Sequence, residues 1–151
     1  MAGLAVREAT PGDGTQIAEL LTELGRSAAT ASTLRVFQRE LEAQLMDPLT
    51  KHLVAELNAE VVGFCSLHFH HRLNRAKLQA QIPDLIVGGW ARRRGVGRAL
   101  LERAIELSRE AGCFSLKLDS GHSRWEAHEL YRSVGLKDVG IYFQLELEPD
   151  L

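Results

Sequence analysis

The chain has 151 residues, 45% of them hydrophobic and 25% charged, with a formal net charge of −2. That is length for about one domain with its own core, at an ordinary globular composition. It excludes a protein-wide field that would recruit nucleic acid or anionic membrane, and no apolar run reaches the roughly 18 residues of a membrane span.

"LAVREA" (4–9) alternates apolar and polar and predicts a first strand. Thr10 then reads as a helix N-cap with Pro11 at the first helical position and Asp13 nearby. The helix that follows places Ile17, Leu20, Leu21 and Leu24 on one face and closes near Gly25. A second helix is expected over "STLRVFQRELEAQLMD", where Leu34, Phe37, Leu41 and Leu45 recur at helical spacing before Pro48 ends it. "KHLVAEL" and "VVGFCSLHFHH" flank the turn "NAE" and predict a β-hairpin. "KLQAQIPDLIVGG" predicts another strand, with Pro83 marking a bulge or an edge. A long helix opens at Gly95 and closes at Gly112, burying Val96, Leu100, Ala104, Leu107 and Ala111. "CFSLKLDS" is expected as a strand, "SRWEAHELYRSVG" as a shorter helix and "LKDVGIYFQLELE" as a final strand.

The expected order is therefore β-α-α-β-β-β-α-β-α-β, one mixed α/β domain over residues 1–151 with no internal repeat. Cys65 and Cys113 lie in apolar stretches with no CxxC, which predicts reduced, buried thiols and neither a disulfide framework nor a zinc set. No signal peptide is visible at "MAGLAVREATPGDG", so a cytoplasmic location is expected.

The stretch "WARRRGVGRALLERAIELSREAG" (90–112) departs from ordinary helix design. The first turn of a helix carries N–H groups without intrahelical acceptors and the positive end of the macrodipole, so arginines there are electrostatically misplaced. Either they point into water or an anion sits among them. Glycines at such a turn let the backbone bend and a ligand approach, and guanidinium groups suit phosphates. Two well-known phosphate loops are excluded: Leu100 stands where GxGxxG needs its third glycine, and there is no GK[ST].

The turn does resemble the acyl-CoA site of the GNAT N-acetyltransferase superfamily, whose hallmark is Arg/Gln-x-x-Gly-x-Gly/Ala after an aliphatic strand end. Here it reads Leu85-Ile86-Val87, then Arg92-Arg93-Arg94-Gly95-Val96-Gly97. Downstream, "LDSGHSRWEAHELYRSVGLK" is similar to a pattern found in small-molecule enzymes of that superfamily, with Leu130 and Leu136 in place of phenylalanines. The order of strands and helices matches over nearly the whole chain.

The resemblance implies an acetyl-CoA-dependent N-acetyltransferase with no metal. It implies that backbone amides of Arg93, Arg94, Gly95, Val96, Gly97 and Arg98 hold the CoA pyrophosphate, with Arg92 at the signature position. Leu85, Ile86 and Val87 would carry the pantetheine arm, their backbone pairing with it like an extra strand. Tyr131 would donate a proton to the leaving thiolate. By spacing alone Tyr131 shares a face with Ala127, Leu130 and Val134, the pattern of a core residue.

The general base is where the sequence departs from the family pattern. Pro83 occupies the place of a glutamate that many relatives carry, leaving Asp84 as a candidate if a bulge turns it inward. His70 is a second candidate, since "SLHFHHRLNR" puts His68 and His70 on one strand face and His71 on the other. A half-exposed surface is the plain alternative for these histidines, and metal binding lacks a third ligand at suitable spacing. His122 lies in the loop expected near the acetyl end.

The expected acceptor is a primary amine of a small molecule, in a pocket walled by the first two helices, the His68–His71 strand and the loops near His122 and Tyr142. A protein N-terminus or lysine is the alternative acceptor, and a non-catalytic acyl-CoA sensor the alternative of another class. No nucleic-acid or membrane partner is expected, and the apolar "VGIYFQLEL" would suit a homodimer interface.

Overall fold

The computed structural model describes residues 3–25, 32–120 and 125–148, and the chain divides into two compact units, Met1–Leu118 and Asp119–Leu151. The first unit opens with β1 (Leu4–Glu8), a 3-10 turn at Pro11–Asp13 and α1 (Gly14–Glu23). Asp13 makes that corner. Its carboxylate accepts the Thr10 N–H at 2.7 Å and both Arg7 Nη groups at 2.8 and 2.9 Å. Arg7 also donates to Glu56 at 2.7 Å, tying the corner to the neighbouring strand.

Asp13 is buried, while Arg7 is part exposed and keeps Glu56, so removing the Asp13 carboxylate loses charge-assisted hydrogen bonds without stranding a charge. Asp13→Ala should therefore cost about 2 kcal/mol in urea unfolding at pH 7, from the lost charge-assisted hydrogen bonds to Arg7 and the Thr10 N–H. The hydrogen bonds from Arg7 hold the Asp13 carboxyl below its usual range. A depressed carboxyl stabilises the fold fully above its unfolded pKa, near 4, and less as pH falls through the folded value. The gap between wild type and variant should close under acid; a gap unchanged at pH 2 would contradict the ion-pair account.

α2 (Leu34–Leu45) leads into β2 (Leu53–Leu57) and β3 (Glu60–Cys65). Asn58 and Ala59 make their turn at φ +53 and +66, the doubly left-handed geometry that matches strand twist. β4 (His68–Arg72), β5 (Lys77–Ile82), β6 (Leu85–Val87), α3 (Val96–Glu110) and β7 (Leu116–Leu118) complete the unit.

The strands form two sheets, β1-β2-β3-β6 and β4-β5-β7, antiparallel except for the β5–β7 pair. Each of the two long strands expected from sequence, over 61–71 and 77–89, is thus divided between the sheets. Both break at one level. Pairing steps from Cys65↔Leu85 to His68↔Gln81, so residues 66–67 face residues 82–84 and the second strand carries one extra residue. That is a β-bulge, at Pro83 and Asp84. Pro83 has no N–H for the ladder, and Ser66 stitches the gap: its N–H donates to Asp84 O and its Oγ accepts the Asp84 N–H, both at 2.9 Å.

Helices cover both faces of the first sheet. Ile17, Leu20 and Leu41 of α1 and α2 pack on Val54, Phe64 and Ile86. On the other face α3 approaches so closely that a Cβ on Gly63 would lie 2.9 Å from Val96 and 3.0 Å from Leu100. Among the described residues no helix is long and apolar enough to cross a membrane.

The second unit contains α4 (Trp125–Ser133), closed by left-handed Gly135 at φ +103. The strand expected over 136–148 does not form: among the described residues it joins no ladder. Val139, Ile141, Phe143, Leu145 and Leu147 keep strict alternation, yet all are exposed. Periodicity specifies a face, but a strand exists only where a neighbour takes its backbone hydrogen bonds.

Candidate functional site

β6 carries the first half of the site. β7 follows β5 only as far as Ile82↔Leu118, so beyond the bulge β6 pairs with β3 alone and keeps one edge open among the described strands. Past Val87 the chain is pinned from below. The Gly88 N–H donates to Val62 O at 2.8 Å and the Gly89 N–H to the Glu23 carboxylate at 2.6 Å. Buried Ala91 anchors the next turn, which leaves Arg92, Arg93 and Arg94 exposed, Arg92 Nε 3.5 Å from Val87 O.

Arg93 at φ +63 and Gly95 at φ +79 are left-handed at alternate positions. A non-glycine residue rarely takes that conformation, and such residues cluster where a turn holds a ligand. Alternation of this kind gathers backbone amides into a concave anion-binding face, and α3 begins immediately after it. The first helical turn has no acidic residue, and a Cβ added at Gly95 would meet nothing within 4 Å. The arrangement fits a diphosphate: a helix start with open space at Gly95 stands beside three exposed arginines. Of the ten residues expected to bind the cofactor, Leu85, Ile86 and Val87 form the open strand, Arg92 to Gly95 the turn, and Val96, Gly97 and Arg98 the start of α3.

The second half is a cavity of about 210 Å³ between α1, α2 and the bulge. Ile17, Leu21, Phe37 and Phe64 form apolar wall, and Glu40, Gln44, His52, Ser66, His68 and Asp84 supply the polar groups. Half-buried Asp84 lines this space, one residue before β6.

His52 is the residue that sequence reasoning missed. It is 5% exposed and tilted against Phe64. Gln44 donates its Nε2 to the Glu40 carboxylate at 3.1 Å, which turns its carbonyl oxygen toward His52 Nε2 at 2.7 Å. A carboxylate can only accept, so the chain of bonds fixes the proton on His52 Nε2 and leaves a lone pair on Nδ1. That Nδ1 is buried and has no hydrogen-bond partner in the protein. Burial, with a contribution from neighbouring His68, lowers the His52 pKa to about 4. His68 stands edge-on to it at 5.2 Å and is itself lowered, mainly by burial and then by His70. Both rings are neutral at pH 7.

His70 stacks on His68 at 6.2 Å but is exposed and is not among the residues lining the cavity. Tyr131 is buried on α4, in the second unit. His122 lies outside the described residues. Cys65 is fully buried, which pushes its thiol up to about 12, so it is inert at neutral pH.

Comparison with known proteins points to one family. Residues 15–136 match the model of the acetyltransferase (GNAT) family. The chain is similar to an aminoalkylphosphonate N-acetyltransferase of Salmonella typhimurium, at 32% identity over 91% of this chain and 88% of that one. It is similar to an aminoglycoside N(6')-acetyltransferase type 1 of Stenotrophomonas maltophilia, at 30% identity over 95% and 94%. A transcriptional regulator of Bacillus halodurans C-125 shares the fold, with a TM-score of 0.86 over 95% of this chain and 99% of that one, at 24% identity.

Proposed function

Because the chain belongs to the acetyltransferase (GNAT) family, whose acyl donor is acetyl-CoA, we propose that it acetylates a primary amine of a small molecule held in the cavity beside Asp84. The observation that carries this reading is the bulge at Pro83–Asp84. It puts an acceptor-lined cavity and the open edge of β6 on one continuous stretch of chain.

Acetyl-CoA supplies a thioester: the amine nitrogen forms the new C–N bond, the C–S bond breaks, and one amine hydrogen ends on the departing sulfur. Arg92 to Arg98 hold the diphosphate, and the open edge of Ile86 and Val87 aligns the pantetheine arm. An alkylamine has a pKa near ~10.4, so about one molecule in a few thousand is uncharged at neutral pH. His52 Nδ1, at a pKa of about 4, is too weak a base to strip a free ammonium. It accepts an N–H of the uncharged amine, aims the nitrogen lone pair, and receives the proton as bond formation makes that nitrogen acidic. Asp84 faces the positive charge that develops. Tyr131 donates to the sulfur, and placing the reactants together supplies much of the rate.

Thiol release from acetyl-CoA over a panel of small amines and free-N-terminus peptides tests the reading. Saturable turnover on a small amine is expected, with peptides at least tenfold poorer, because the cavity lies below the ~300–1,000 Å³ typical of larger-ligand sites. Turnover on peptides alone would transfer the function to the protein-acceptor alternative; turnover on nothing would overturn it.

A further inference from the structure

We infer that the cavity selects amines with an alkyl or neutral body and rejects those bearing a phosphonate or carboxylate, because the only Asp, Glu, Lys or Arg side chains among the described residues lining it are the acids Glu40 and Asp84. This rests on the acetyltransferase reading and goes beyond it, to the charge class of the acceptor.

Among the described residues lining the cavity there is no lysine or arginine, while Glu40 and Asp84 both contribute carboxylates. Gln44 is already committed in part, with one of its two amide N–H groups on Glu40 and its carbonyl on His52. Thr50 Oγ1 lies 3.2 Å from His68 Nδ1, which occupies that ring nitrogen. The lining thus combines a buried, unpartnered acceptor, His52 Nδ1, with two acidic side chains. A buried acceptor left unpaired is costly, so a ligand that brings N–H groups is favoured. An anionic group would be desolvated beside like charges without a countercharge, which opposes binding. The apolar wall of Ile17, Leu21, Phe37 and Phe64 suits a short alkyl body.

The similarity to an aminoalkylphosphonate N-acetyltransferase makes this specific. Likeness to that relative alone would suggest an acidic acceptor, whereas the similar aminoglycoside N(6')-acetyltransferase suggests a non-acidic one, and the lining of this cavity agrees with the latter. Specificity is a difference between affinities, and like-charge juxtaposition is an effective way to create it.

The test compares n-butylamine and 1,4-diaminobutane with 2-aminoethylphosphonate and 4-aminobutyrate on the full-length protein. Two readouts are needed: kcat/KM with acetyl-CoA, and titration of the His52 and His68 imidazole resonances by each compound without acetyl-CoA. At least a tenfold preference in kcat/KM for the two amines without an acid supports the inference. Equal or better turnover of the phosphonate or carboxylate overturns it and leaves acetyl transfer standing. If no compound is acetylated, the enzymatic reading fails, and the titration decides the inference alone. Saturable imidazole shifts with butylamine and none with aminoethylphosphonate uphold it; the reverse, or no shift with any amine, sinks it.

Discussion

Tyr131→Phe should lower kcat by about 100-fold or more while leaving CoA affinity unchanged. The substitution removes one hydroxyl and little volume, so the helix that carries it should keep its packing. A departing thiolate is stabilised only while the C–S bond breaks, and a hydrogen bond made in the transition state alone appears in kcat rather than in binding. Deletion of the hydroxyl therefore affects the chemical step, and a free amine at saturating concentration should not rescue it. Equilibrium titration with CoA, followed by single-turnover measurement of thiol release, separates the two effects. Wild-type kcat in the variant would return Tyr131 to the role its spacing with Ala127, Leu130 and Val134 also allows, that of a buried helical tyrosine on α4.

The turn proposed to hold the diphosphate was legible in the sequence because its physics is local. Two glycines, three arginines and a helix start within eight residues define their own electrostatics, and the turn geometry follows from the chain itself. α1, α2 and α3 were legible for a related reason, since a 3.6-residue period is written in consecutive residues. The bulge was half legible: Pro83 announced a broken ladder, but the shift of one residue against Ser66 and Leu67 exists only once two strands are paired. The stretch from Val139 to Leu147 shows the converse, a strand pattern without the neighbour that would make it a strand. His52 was not legible at all. Nothing near "KHLVAEL" marks a functional histidine, because its meaning comes from Gln44 across a turn and from Glu40 one helical turn earlier. A strand-face argument favoured His70, whose side chain is exposed, over the imidazole that lines the cavity.

His52→Phe should combine a kcat/KM loss of about 100-fold with a change in how stability depends on pH. Phenylalanine can occupy the site against Phe64 but offers no lone pair to the amine and no N–H to Gln44. The linkage has a definite sign. His52 titrates at about 4 in the folded chain against 6.5 when unfolded, so between those values the unfolded state binds more protons. Stability is complete above pH 6.5 and falls as pH drops toward 4, by roughly 3 kcal/mol for a shift of this size. The variant should lose the His52 part of that slope, keeping the part from His68, whose pKa is also lowered, and the Asp13-dependent loss below about 4. In the active enzyme, the same low pKa means that His52 adds no acid limb to the rate profile above pH 5. Rates should climb with pH only as the free amine becomes available. A variant with full activity removes His52 from the reaction. One whose unfolding midpoint still falls between pH 6.5 and 4 as in wild type shows that its imidazole was never held neutral by burial, and the fixed lone pair on Nδ1 goes with it.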